Sequence, residues 1–286
     1  MSEKLKSALP LTHPKLNLLQ RHIAVPIEHG SWVFLLSPLF IGLFIAQTWN
    51  TASGLLVLAA LAGFFFRQPL TIAVKVASKR RPQKEWTPAL FWMGVYGLIG
   101  LAALAGLVAA GHSYLLFLGV PALPVLGWHL WLVSRREERR KPIVEIAGSA
   151  VLGFAAPAAL WVGSGSYDPY GWLLWLLCWL QAAASIWYAY LRLEQRVWKS
   201  VPPFGEKLRA AWLPLTATTV IVTAVVILSG LKVVPGLLSL AFVVQWVETL
   251  YGTLRPALGV KPTAIGVRQL LVSVLFTVCF IIFWMA

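Results

Sequence analysis

Along the chain, apolar runs of about 20 residues alternate with short stretches carrying charge, Gly or Pro. The runs fall near 31–49, 53–74, 89–110, 113–134, 143–163, 171–191, 210–230, 233–250 and 268–286. Each can cross a bilayer as a helix, and an open strand could not satisfy its backbone in lipid, so the pattern predicts helices. Connections such as "QTWNTAS" and "SGSYDPYG" leave little room for extramembrane domains. The expectation is an all-α polytopic membrane protein of about nine spans. Residues 1–25 read as a retained cytoplasmic tail, with no apolar run of signal-peptide length before Ile23, and residues 26–286 as a single transmembrane domain.

Composition agrees with the pattern: 286 residues that are 59% hydrophobic and 12% charged hold more apolar material than one water-soluble core uses. Charge then orients the spans. Of the 24 Lys and Arg, 22 fall at the ends expected to share a side with the amino terminus, Lys232 falls opposite, and Arg67 sits at a span end. The positive-inside rule therefore predicts an inside amino terminus and an outside carboxyl terminus in a bacterial cytoplasmic membrane. Trp49, Trp161, Trp172 and Trp284 fall near the outer boundary, and Trp86, Trp198 and Trp212 near the inner one, as interfacial anchors do. Spread over loops beside anionic headgroups, the net charge of +14 points to lipid and away from nucleic acid. Cys178 and Cys279 lie in separate apolar runs and suggest neither a disulfide framework nor a zinc site.

Ionisable groups at membrane depth are costly, so each calls for a reason. In "PIEHGSW", Glu28 and His29 stand at the start of the first span, either as part of a capped helix start or as site residues. In "FFFRQPLTIAVK", Arg67, Thr71 and Lys75 share a helix face and Gln68 adds an amide; Arg67 either snorkels to the headgroups or faces a cavity. Glu145 follows Pro142 in the fifth span, where it complements the helix dipole or partners an internal base. In the sixth span Gln181, Ser185, Tyr188, Arg192 and Gln195 form a polar stripe within about 40° of Gln181, lining a helix contact or a water-accessible cavity. Glu194 lies on another face. The eighth span repeats the theme with Gln245, Glu248 and Thr249, followed by Arg255. These groups gather at the ends expected inside, so a site would open toward the cytoplasm.

With "RQPL" (Arg67 to Leu70) after the second span and "YAYLRLEQR" (Tyr188 to Arg196) in the sixth, the layout resembles the UbiA superfamily of intramembrane prenyltransferases. More narrowly, "PIEHGSWVFLLSPLFIG", "FRQPL" and "VEIAG" together resemble the YwiC-like family of bacterial membrane proteins. The first resemblance implies a UbiA-like bundle with an isoprenoid or quinone-like ligand. UbiA enzymes hold a prenyl diphosphate through Mg²⁺ on clustered aspartates, whereas this chain has one aspartate, Asp168, on the side expected to be outside. Arg67 stands where the first acidic cluster would begin, and Glu194 is the acid left in the second motif. An anion here would be held by Arg, Lys and amide donors, with no Mg²⁺ and no other cofactor.

The sequence thus predicts a membrane protein that binds an isoprenoid or quinone-like lipid in an inward cavity, as a divergent UbiA-like transferase or a binder. Arg67, Gln68, Gln181, Tyr188 and Arg192 would contact the head, and Glu28, His29, Glu145 and Glu194 are candidates for moving protons. A proton-coupled small-molecule transporter and an accessory scaffold of a membrane complex are the alternatives. No protein partner is named by the sequence.

Overall fold

The computed structural model describes residues 18–26, 29–138 and 141–286, the side chain of His29 excepted. Eleven helices follow one another: α1 (Arg21–Ala24), α2 (His29–Ala46), α3 (Thr51–Ala77), α4 (Trp86–Ala109), α5 (Gly119–Arg135), α6 (Pro142–Gly153), α7 (Ala155–Ser164), α8 (Tyr170–Gln195), α9 (Phe204–Gly230), α10 (Ser239–Leu254) and α11 (Pro262–Met285). Short 3₁₀ turns at Gln83–Glu85 and Ser113–Leu118 lead into α4 and α5, and no strand occurs among the described residues. The protein is an all-α, multi-pass membrane protein.

Among the described residues seven segments are long and apolar enough to cross a membrane: α3, α8, α9, α11, α4 and α5 with their leading turns, and α6 with α7. The helices at the other two expected spans are shorter. α2 has 18 residues and α10 has 16, about 27 and 24 Å at 1.5 Å per residue. α10 begins at Ser239, not 233, because the chain turns through Pro235 and Gly236. α11 begins six residues before the expected 268, at Pro262, whose fixed φ and missing N–H suit a first turn. Arg268, at the expected start of the last span, therefore sits within the helix. The fifth span is interrupted at Phe154 because Pro157 has no N–H to offer the carbonyl of Gly153, four residues back.

Small residues set the closest helix approach. A Cβ on Gly42 of α2 would overlap the Ala156 carbonyl and lie 2.7 Å from Ala159 Cβ on α7, so only glycine allows this contact. Around it, Leu39, Leu43, Ala155 and Trp161 are buried in one cluster, and Leu174, Phe242, Phe276 and Phe280 in another that joins α8, α10 and α11.

The two ends of the bundle differ chemically. At one end Trp161 Nε1 donates to the Asp168 carbonyl at 2.6 Å, Thr48 Oγ1 to the Gly163 carbonyl at 2.5 Å and Tyr170 Oη to the Val233 carbonyl at 2.6 Å. Asp168 and Lys232 are the charged residues in its loops. The opposite end carries Lys79, Arg80, Arg81, Arg196, Lys199, Arg255 and Lys261 in its loops. There Arg80 binds the carboxylate of Glu138 at 3.0 and 3.2 Å and also donates to the Val133 carbonyl, and Lys75 Nζ lies 3.6 Å from Glu138. Burial alone would raise the Glu138 pKa, but the Arg80 hydrogen bonds and the two positive charges outweigh it and hold the carboxyl below its ordinary value.

Candidate functional site

Two groups of cavities flank the bundle. The first lies among α2, α3, α5, α6 and α7 and has a volume of about 340 Å³. Its walls are Leu, Ala, Phe and Val side chains with Gly63, and Arg67 is the one polar residue among the described lining residues. The Arg67 guanidinium carbon stands 6.0 Å from the Phe64 ring centroid, a cation–π approach that lets the charge end against an apolar wall. α3 carries Arg67 there because its helix runs unbroken through Pro69, held at the far end by a capping box between Asn50 and Ser53.

On the other flank of α5 a second cavity of about 510 Å³ is lined by Pro121, Val125, Phe154, Trp172, Trp175 and Trp179, and shares Val151 and Phe154 with the first. Its aromatic wall is ordered. Phe154 stacks on Trp175 at 5.4 Å and 26°, and Trp175 on Trp179 at 5.4 Å and 10°. The indole N–H groups of Trp175 and Trp179 donate to the Ala150 and Ile146 carbonyls of α6 at 2.8 and 2.9 Å, which fixes the rings. Such a wall suits a flat or chain-like apolar ligand.

A third cavity, of about 390 Å³, lies at the basic end among α8, α10 and α11, with Tyr188, Arg192, Tyr251, Arg255, Arg268 and Gln269 on its walls. The α8 stripe leads into it. Gln181 Nε2 reaches Gln245 Oε1 at 3.4 Å, Ser185 Oγ donates to Gln269 Oε1 at 3.0 Å, and Tyr188 Oη to Glu248 Oε1 at 2.8 Å. Arg192 Nη1 donates to Gln195 Oε1 and to the carbonyls of Gly252 and Arg255 at 2.8, 3.0 and 2.7 Å. All five stripe residues are buried, and all five bond to α10, α11 or the loop between them. The stripe is thus a polar helix contact, worth on average about 0.6 kcal/mol per hydrogen bond in a membrane, that opens into a cavity at one end.

Residues 25–160 match the family described as YwiC-like protein. "Uncharacterized protein YwiC" of Bacillus subtilis (strain 168) is 26% identical over 175 residues, 60% of this chain and 68% of that protein. Over residues 25–160 the chain is thus similar to the YwiC-like family. No solved structure matches it. The YwiC-like match spans α2 through part of α7, and so contains Arg67 and the other residues lining the first cavity, while α8 to α11 lie beyond it.

In this chain the residues read as one head-group set lie in separate places. Arg67 lines the first cavity, Tyr188 and Arg192 line the third, and no cavity described here is lined by both groups. Gln68 Nε2 donates to the His22 carbonyl at 2.9 Å, tying α3 to α1. Gln181 borders a small space of about 20 Å³ near Ser37 and Ser273. Glu145, in the first turn of α6, accepts from Tyr190 Oη at 2.7 Å, and Glu194 is exposed. Glu28 and the His29 side chain lie outside the described residues. Among the described residues no three His, Cys, Asp or Glu side chains gather as metal ligands. Sequence reasoning missed Arg268 and Gln269. Gln245, Glu248 and Gly252, at spacings of three and four on α10, were the signal that a polar partner faced the α8 stripe.

Proposed function

We propose that this protein binds an isoprenoid or quinone-like lipid in the apolar cavities flanking α5, with the polar head at Arg67. A single charged side chain on an otherwise apolar wall is the arrangement that orients an amphiphile: the tail takes the apolar length and the head takes the guanidinium. The stacked rings of Phe154, Trp175 and Trp179, with Trp172 edge-on beside them, support a ligand with planar or branched apolar units. In this reading the protein crosses the cytoplasmic membrane nine times, with α2 and α10 as the two shorter spans. The basic end faces inside, as the excess of Lys and Arg favours. The likeness to UbiA enzymes then lies in holding an isoprenoid within a helical bundle, without their Asp-bound metal.

The test is to purify the full chain in mild detergent, extract it with organic solvent and record a native mass spectrum, with Arg67→Ala alongside. The expected result is an isoprenoid or quinone retained by the wild type and lost from Arg67→Ala at unchanged melting temperature. An equal amount retained by both proteins, or no amphiphile retained by either even after the purified chain is offered ubiquinone or polyprenol, rejects the assignment.

A further inference from the structure

The cavity among α8, α10 and α11 carries a different charge balance from the cavities beside α5. Three guanidinium groups, from Arg192, Arg255 and Arg268, stand on its wall, and the nearby carboxylate is Glu248. That carboxylate is already engaged, accepting from Arg268 Nε at 2.6 Å, from Arg268 Nη2 at 2.8 Å and from Tyr188 Oη at 2.8 Å. One negative charge against three positive ones leaves the pocket with an excess of positive charge and of donors. The Arg192 bonds all leave from Nη1, and the Arg255 and Arg268 guanidiniums lie over the Tyr251 ring at 5.8 and 4.3 Å.

Gln269 makes the case specific. Its side chain is on the wall of this cavity and the residue is 8% exposed, yet Nε2 has no hydrogen-bond partner, while Oε1 accepts from Ser185. Buried amide donors are almost always satisfied, so an orphan donor beside surplus guanidiniums is a place built for an acceptor. α11 also starts here. Ala264 and Ile265 of its first turn line the cavity, and the positive end of a 24-residue helix adds to the field.

We propose that this pocket is a second, separate site that binds a phosphate group, carried on a phospholipid headgroup or supplied as free phosphate. A tetrahedral group with several acceptor oxygens can bridge guanidiniums on three sides and still accept from Gln269; a planar carboxylate has oxygens for fewer of them. Basic pockets between transmembrane helices at the inner face take phosphate-bearing headgroups for the same reason. The site is independent of the lipid reading above, because Arg67 is not on its wall.

The experiment is isothermal titration of the detergent-purified full chain with dihexanoyl phosphatidic acid, dihexanoyl phosphatidylcholine and inorganic phosphate. Variants are Arg255→Gln at the mouth, Gln269→Glu at the orphan donor and Arg67→Ala in the other cavity. Phosphatidic acid should bind the wild type and Arg67→Ala alike, and bind Arg255→Gln and Gln269→Glu about tenfold or more weakly, a factor that corresponds to about 1.4 kcal/mol. Gln269→Leu removes the orphan donor without adding charge and takes the place of Gln269→Glu if that variant does not fold. Competition by inorganic phosphate assigns the site to a free anion. Failure to compete, with phosphatidic acid bound more tightly than phosphatidylcholine, assigns it to a headgroup. Phosphatidic acid affinity within about twofold of wild type in folded Arg255→Gln and Gln269 variants, or no binding of either phosphate probe, overturns the proposal.

Discussion

Gly252→Ala tests whether the α8–α10 contact is as tight as its geometry. A Cβ on Gly252 would stand 2.5 Å from Tyr188 Cε2 and 2.7 Å from Cζ, and nearer still to Oη. Carbon atoms in contact prefer roughly 3.5–4.0 Å, so the ring must withdraw by about 1 Å. Tyr188 is fully buried and bonded to Glu248, so withdrawing the ring toward the cavity it lines pulls its hydroxyl from that carboxylate. Overpacking of this kind costs about 1–3 kcal/mol. Pulling Tyr188 Oη from the carboxylate forfeits a charge-assisted hydrogen bond, about 1.5–3 kcal/mol more. A total of about 2.5–6 kcal/mol, at roughly 2–4 °C per kcal/mol for a chain of this general size, lowers the melting temperature by about 5–24 °C. Thermal unfolding in detergent reads this directly, with Gly266→Ala as the control, since nothing lies within 4 Å of its Cβ position. Gly252→Ala combined with Tyr188→Ala should cost less than the sum of the two single changes. A Gly252→Ala protein that melts like wild type, or strict additivity in the pair, would refute the packing described.

Two further outcomes follow from other contacts. Gly42→Ala should destabilise by about 1–3 kcal/mol by forcing α2 from the α7 backbone, and unfolding midpoints of the purified protein will show it. For Glu138 the folded carboxyl titrates below its ordinary value of about 4.5, so its contribution is complete above that value and disappears as pH falls through the lower folded value. Glu138→Gln should therefore be less stable than wild type at pH 7, by about 1–3 kcal/mol, with the gap closing on acidification below pH 4.5. Melting curves at pH 7 and pH 3.5 check it, and a gap independent of pH would count against the Arg80–Glu138 pairing.

The helical plan is plain in the sequence because a bilayer demands about 20 apolar residues per span, and the alternation of those runs with Lys and Arg leaves few ways to thread the chain. Boundaries were less legible where a turn is apolar: "VVPGLL" before α10 reads as membrane by hydropathy, and the turn at Pro235 and Gly236 decides otherwise. The α8 stripe was visible from spacing alone. What it faced was not, because Gln245, Glu248 and Gln269 lie 64, 60 and 84 residues away along the chain. Counting Arg268 among the cations at the inside ends says nothing of a partner such as Glu248. The separation of Arg67 from Arg192 had no sequence signal, since both stand near the ends of their spans expected inside and only the packing of α2, α10 and α11 puts them in different cavities.

The cavities beside α5 open on the flank of the bundle, where Pro121 and Leu123 line them and are exposed. A ligand entering by that route arrives from the hydrocarbon phase and never crosses water. Its tail gains no hydrophobic driving force on binding, since it was already out of solvent. In the function proposed above, selectivity then falls to shape against the tryptophan wall and to the contact between the head and Arg67. Occupancy is governed by mole fraction in the bilayer, so a dissociation constant in molar units changes with the amount of detergent or lipid present. The meaningful titration varies ligand per lipid at fixed protein, and two laboratories using different micelle concentrations would otherwise report different affinities for the same site.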